Sequence, residues 1–244
     1  MNKKVKKVVL VVGAGDATGA AIAHRFAREN FKICVARRNY EQLIPLVESI
    51  KKLGGDAIAY RLDARKEDEV KKLFNYLEDH EGEINVVVFN VGGNVKFPVL
   101  ETTSKKYFKV WEMCAFAGFL VGKEAARVML QRKEGSIFFT GATASLRGAS
   151  GFCAFSGGKA ALRALAQSMA RELGPIGVHV AHIIIDGVIN TKFSQENFSE
   201  FIKSVGPKGI LDPNNIADVY WWLYKQPKDS WTFELDLRPS VEKW

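Results

Sequence analysis

Cysteine is scarce in this chain, and the three present, Cys34, Cys114 and Cys153, are widely spaced with no C-x-x-C pair. Neither a disulfide framework nor a zinc site follows from such a set, so no metal is expected and a reducing, cytoplasmic compartment is. Long apolar runs are also missing. Lysines precede Val8 to Val12 as they would in a secretion signal, yet the run stops at Gly13 and no cleavage site follows. No stretch approaches the eighteen or more apolar residues of a membrane span. A soluble, non-exported protein without a membrane partner is expected. Pro/Gly/Ser linkers, charge-run boundaries and internal repeats are lacking too, so residues 1–244 read as a single domain.

Acidic residues are outnumbered, 27 against 35 lysines and arginines, for a formal charge of +8. That excess favours anionic partners such as phosphates. Four of the lysines (Lys3, Lys4, Lys6, Lys7) lie at the N-terminus, where a solvated tip is a simpler reading than a nucleic-acid patch. A 47% hydrophobic and 25% charged composition is that of a globular chain and excludes disorder. A domain of this length buries ~75% of its unfolded surface.

Short β-branched runs alternate with longer amphipathic segments, the pattern of parallel strands joined by crossover helices. Strands are expected at Lys7 to Val12, Lys32 to Ala36, Ala57 to Leu62, Asn85 to Phe89, Ser136 to Thr140 and Val178 to Ile185. Their nearly continuous apolar character suits a sheet covered on both faces. A seventh strand, Trp231 to Leu237, alternates apolar and polar residues and fits an edge. Helix stops are expected at Gly54-Gly55, Gly135 and Gly174-Pro175. The expected fold is therefore a doubly wound, Rossmann-type α/β domain with a mainly parallel seven-stranded sheet and helices on both faces. Only Asp186 to Asn214 lacks clear periodicity, and a substrate lid at about 187–214 is expected there.

The first strand runs into Gly13-Ala14-Gly15-Asp16-Ala17-Thr18-Gly19 and then a helix. Glycines in such a turn let backbone approach a pyrophosphate, and the helix N-terminus supplies unpaired amides. The G-x-G-x-x-G fingerprint is incomplete, because its third glycine position is Thr18. An NAD site places a carboxylate at the end of the second strand, whereas this strand ends Val35-Ala36-Arg37-Arg38. Two guanidiniums suit a 2′-phosphate, so NADP is favoured over NAD. The alternative is that Arg37 and Arg38 are simply a solvated strand-end pair.

With these residues in place, the whole chain resembles the short-chain dehydrogenase/reductase superfamily. The family's T-G-x-x-x-G-x-G turn corresponds to Val12 through Gly19, with Val12 and Ala17 as departures. Its acidic adenine-holding residue after the third strand corresponds to Asp63. N-N-A-G after the fourth strand becomes Phe89-Asn90-Val91-Gly92, and P-G-x-x-x-T after the sixth becomes Asp186-Gly187-Val188-Ile189-Asn190-Thr191. The resemblance implies cofactor contacts from Gly13, Gly15, Asp16, Thr18, Gly19, Arg37, Arg38, Asp63, Asn90, Gly92 and Lys159. It also implies that Gly187, Ile189 and Thr191 lie near the nicotinamide end.

The family's Y-x-x-x-K pair, one helical turn apart, is here Phe155-Ser156-Gly157-Gly158-Lys159. In the family that phenol exchanges the proton while hydride moves, and the lysine lowers its pKa and holds the nicotinamide ribose. The family's serine falls on Ala142 and its asparagine on Ala115, so Lys159 alone survives. Thr143, beside Ala142, can substitute for the serine only if its loop is rotated. The candidate catalytic residues are therefore Lys159 and Thr143. Cys114 and Cys153 lie near enough in sequence to approach the pocket, although buried cysteines are commonly inert. His24, His80, His179 and His182 have no Ser or Cys partner at a telling spacing and read as structural or exposed.

Phe193, Phe198 and Phe201, with Phe152 and Phe155, either line an apolar substrate pocket or belong to an amphipathic lid packed on the core. The segment Ser156 to Leu173 is apolar almost all round and needs cover on two sides. In the family a second subunit often supplies one, so a homodimer or homotetramer is implied. The expected activity is NADP(H)-dependent hydride transfer on an unknown small carbonyl or alcohol, apolar in part, with a degenerate catalytic set. The competing reading is a catalytically silent nucleotide-binding protein that acts through cofactor-dependent association with another protein.

Overall fold

The computed structural model describes residues 6–15 and 17–241. Seven strands alternate with helices: β1 Lys7–Val12, β2 Lys32–Arg37, β3 Asp56–Arg61, β4 Glu83–Phe89, β5 Gly135–Ala142, β6 Val178–Ile185 and β7 Glu234–Leu237. The helices are α1 Thr18–Ala27, α2 Ile44–Lys52, α3 Glu67–Tyr76, α4 Ser104–Trp111, α5 Ala117–Arg132, α6 Cys153–Leu173, α7 Lys192–Asn197, α8 Ser199–Val205 and α9 Pro213–Lys225. One sheet forms in the order β3-β2-β1-β4-β5-β6-β7, and every pairing is parallel. The order reverses between β1 and β4, and that switch point opens a crevice at the carboxyl ends of the strands.

The strands are apolar throughout because both faces are covered. Leu10, Val87 and Phe139 point to the side of α3, α5 and α6, where they meet Leu73, Val121 and Leu162. Val11, Val88 and Ile183 point to the other side, where they meet Ile22 and Phe26 of α1 and Tyr220 of α9. Residues alternate between the two cores along each strand, as the two-residue period of a strand requires.

Two expectations need correction, the stop of α5 and the start of the edge strand. Helix α5 is ended not by Gly135, which opens β5, but by Lys133 in the left-handed conformation at φ 53°. The edge strand is shorter than the alternation suggested, beginning at Glu234 rather than Trp231; β7 does lie at the edge. The segment after β6 is not devoid of regular structure: it holds α7 and α8, and a parallel bridge from Ile189 to Leu211 ties its two ends together. Of the four N-terminal lysines, Lys6 pairs with Asp56 at 2.7 Å and Lys7 with Glu134 at 2.8 Å, while Lys3 and Lys4 lie outside the described residues. Among the described residues no helix is long and apolar enough to cross a membrane, and no cluster of His, Cys, Asp and Glu suited to a metal occurs.

Candidate functional site

The crevice begins where β1 turns into α1. Gly13 takes φ 82°, and a Cβ there would lie 2.8 Å from the Asn90 carbonyl oxygen, so only glycine fits. Asn90 secures the turn from β4: its backbone N–H donates to the Val12 carbonyl at 2.8 Å and its amide to the Gly13 carbonyl at 3.2 Å. At Gly19 a Cβ would meet the Ala14 Cα at 2.8 Å, which shows how closely α1 packs on the turn. Thr18 is buried at the start of α1, and the helix has no side-chain cap at Ala17 and no acid in its first turn. Its first amides are thus left for an anion. Asp16 lies outside the described residues.

Beyond the turn a cleft of about 800 Å³ is lined by Gly13, Gly15, Arg37, Arg38, Arg61, Asp63, Asn90 and Gly92. Side chains built at Gly15 and Gly92 would meet nothing within 4 Å, so bare backbone faces open space at both positions. Arg37 and Arg38 make no ion pair with a carboxylate among the described residues. Asp63, for which the resemblance implied an adenine contact, lines this cleft. Both its oxygens accept from the Arg65 guanidinium, at 2.9 and 2.6 Å, and that hydrogen-bonded pair holds its carboxyl below the usual range.

A second cavity of about 360 Å³ adjoins the first and shares Asn90, Val91 and Gly92 with it. Its walls bring together Ala142, Thr143, Phe155, Lys159, Gly187 and Ile189. Thr191 is not among its lining residues: its hydroxyl caps α7 by accepting from the Ser194 N–H at 2.9 Å. Phe155 is buried one helical turn before Lys159, with its ring packed in a small cluster with Val110, Cys114, Ala144 and Ala154. Ala115 sits in the π-helical turn Glu112–Phe116 that joins α4 to α5.

Lys159 is the only cation in this cavity that is fully enclosed. Its Nζ donates to the Thr140 carbonyl at 2.7 Å and the Val91 carbonyl at 3.2 Å. An ammonium carries three N–H donors, so one remains for a ligand oxygen. Burial draws its pKa below the ordinary lysine range, with the nearby Cys114 opposing weakly. Thr143 lines the cavity and donates its hydroxyl hydrogen to Asp186 at 2.5 Å.

Several sequence candidates fall away from the cavities. Burial pushes the Cys114 thiol up, and Cys153 points to the Thr102 hydroxyl at 3.7 Å; neither lines either cleft. Phe152 joins Phe155 on the wall, but Phe193, Phe198 and Phe201 are exposed, so they neither line the pocket nor pack on the core. His24 contacts the Ser49 hydroxyl at 3.0 Å, away from both cavities. Asp186 and Arg147 were not singled out from the sequence. Asp186 is fully buried between Thr143, Arg147 at 3.5 Å and Arg238 at 3.3 Å. The one signal for it is an ionisable side chain where the family motif has proline, directly after an eight-residue buried strand.

A doubly wound parallel sheet, a glycine turn bound to the switch point and a buried lysine in the adjoining cavity define a dinucleotide-binding α/β protein. Comparison with known proteins narrows that class. The family model for short chain dehydrogenase matches residues 7–201, and the chain belongs to that family. It is 29% identical over 222 residues to a human 3-oxoacyl-[acyl-carrier-protein] reductase, spanning 91% of this chain and 92% of the relative. A crystal structure of a short-chain dehydrogenase from Rhodopseudomonas palustris is 49% identical, with a TM-score of 0.83 over 96% of this chain and 98% of that one. A metagenomic short-chain oxidoreductase in complex with NADP shares the fold at 23% identity and a TM-score of 0.82, over 96% and 98% of the two chains.

Proposed function

We propose that this short-chain oxidoreductase is specific for NADP(H) and interconverts a small carbonyl compound and its alcohol in the cavity beside Lys159. The observation that carries the reading is the pair Arg37 and Arg38, with no carboxylate at ion-pair distance among the described residues and only a longer-range attraction between Arg38 and Asp63, on the rim of a cleft walled by open glycine backbone. Gly13, Gly15, Thr18 and Gly19 would cradle the pyrophosphate with Asp16, and Arg37 and Arg38 would hold the 2′-phosphate. Asp63, Asn90 and Gly92 would line the adenosine side; Gly187 and Ile189 would frame the nicotinamide end, with Thr191 behind them capping α7. When bound, the cofactor supplies or takes up the hydride.

Lys159 has two tasks in this reading. Its one remaining N–H serves one oxygen at a time: it holds a ribose hydroxyl as the cofactor binds and, because burial draws the amine's pKa below the ordinary lysine range, exchanges a proton with the carbonyl oxygen of a seated substrate in place of the phenol absent at Phe155. Thr143 gives its own hydrogen to Asp186, so toward substrate its oxygen accepts, which orients an alcohol O–H. The segment 187–214 covers the pocket within the same domain of residues 1–244.

Calorimetric titration tests the cofactor assignment. NADPH should bind more tightly than NADH, and Arg38→Ala should weaken NADPH about tenfold or more while leaving NADH nearly unchanged, because one charge-assisted contact is worth ~1.5–3 kcal/mol. Equal affinities for the two cofactors, or a preference for NADH, would overturn it.

A further inference from the structure

The cavity beside Lys159 is apolar on most of its surface, with Ala142, Phe152, Phe155 and Ile185 among its walls, and no aspartate or glutamate lines it. Its second cation is Arg147, whose side chain is 46% exposed. Among the described residues the only carboxylate within ion-pair distance of Arg147 is Asp186, at 3.5 Å. Asp186 is already held by the Thr143 hydroxyl at 2.5 Å and by Arg238 at 3.3 Å. Arg238 also pairs with Asp236, whereas Arg147 meets Asp186 only at 3.5 Å, a loose contact that leaves guanidinium N–H donors for a ligand at the cavity wall.

A second, independent feature lies beside it. The Ser156 hydroxyl is buried and has no hydrogen-bond partner, although it lines the same cavity. It lies next to the loop that carries Arg147: a Cβ built at Gly148 would be 3.9 Å from it. An unsatisfied buried hydroxyl costs free energy unless a ligand satisfies it. A forked guanidinium and an O–H donor on an otherwise apolar wall match the two oxygens of a carboxylate.

We propose that this cavity takes carbonyl compounds that carry a carboxylate, the acid group being held by Arg147 and Ser156 while the carbonyl lies toward Lys159. The inference rests on the cavity being the substrate site of the oxidoreductase proposed above. Arg147 is half-exposed, so solvent screens part of the attraction, and its forked donors together with the Ser156 O–H replace the water that the acid group gives up. A neutral compound of the same shape would leave the same donors unmatched.

Isothermal titration of the wild type, with NADP+ present at saturation, tests this with 3-phenylpropionate and its uncharged analogue 3-phenylpropanamide. The acid should bind at least about tenfold more tightly than the amide, as expected for one charge-assisted contact. Arg147→Gln should abolish the preference, and Ser156→Ala should reduce it. Asp186 keeps Arg238 and Thr143 in the Arg147 variant, and thermal melting with the NADP+ titration checks that the fold persists. Equal affinity for acid and amide in the wild type, no binding of either, or a preference that survives Arg147→Gln would overturn the proposal. If NADP+ itself does not bind, the oxidoreductase reading fails instead, and the same two titrations without cofactor then decide the carboxylate site separately.

Discussion

At Phe155 the chain keeps an aromatic ring and omits the hydroxyl that its relatives' motif places one turn before the lysine. Ala142 and Ala115 omit two more polar groups, while Lys159 remains, enclosed and held by two carbonyls. If these positions record a reductase that lost its phenol, Phe155→Tyr with Ala142→Ser should restore a donor beside Lys159. General acid catalysis is worth ~10²- to 10⁴-fold, so NADPH oxidation with small ketones should rise by a measurable part of that factor. Cofactor affinity should stay nearly constant. A wild type that already turns over quickly, and loses activity in the double variant, would mean that the phenol has been replaced rather than lost. Single substitutions at Lys159 and Thr143 would then identify the donor.

Three elements meet at a buried ionic group on the far side of Lys159. His182 of β6 is fully buried, its Nδ1 donates to the Glu234 carboxylate of β7 at 2.9 Å, and Arg163 of α6 grips the same carboxylate with two bonds of 2.7 Å. The guanidinium keeps Glu234 ionised below the usual range, and burial draws His182 down to about 4, with Lys159 and Arg163 nearby adding to the cost of its charge. An unfolded histidine takes up its proton near pH 6.5 and the folded one only near 4. The unfolded state therefore binds more protons between those values, and stability falls as pH drops through that window, by up to about 3 kcal/mol. Chemical denaturation at pH 7 and pH 5 should show this loss, and His182→Gln should flatten it. An unchanged slope in the variant would mean that other groups set the acid sensitivity.

This group also marks what the sequence carried and what it did not. Each parallel strand was legible because burial on both faces imposes an unbroken apolar run, and the glycine turn because its spacing reflects close backbone contact. Lys133 as a helix terminator was not, because a left-handed lysine leaves no compositional mark beside the more obvious Gly135. Helices α7 and α8 were hidden because each is short and presents its phenylalanines to solvent, which removes the apolar period. The pairings of Asp186 with Arg147 and Arg238, and of Glu234 with His182 and Arg163, join segments far apart in the chain, so no local pattern announces them.

In the whole molecule, the positive excess has a local meaning at both clefts: Arg37 and Arg38 face the larger one and Arg147 the smaller. Asn90, Val91 and Gly92 form their common wall, so a cofactor in one and a carbonyl compound in the other would meet beside Lys159. Helix α6, which carries that lysine, leaves Ala160, Ala164 and Ser168 exposed on its outer face. We propose that a second copy covers it, in a homodimer or homotetramer. The central claim is that this chain moves hydride rather than merely binding nucleotide. Its most direct test is incubation of the wild type with NADPH deuterated at the nicotinamide C4 and a panel of ketones and keto acids, followed by mass spectrometry of the alcohols. The expected result is an alcohol one mass unit heavier than that formed with ordinary NADPH, with the keto acids the better substrates. Tight NADPH binding without any labelled alcohol across the panel would contradict the claim and leave a nucleotide-binding protein without turnover.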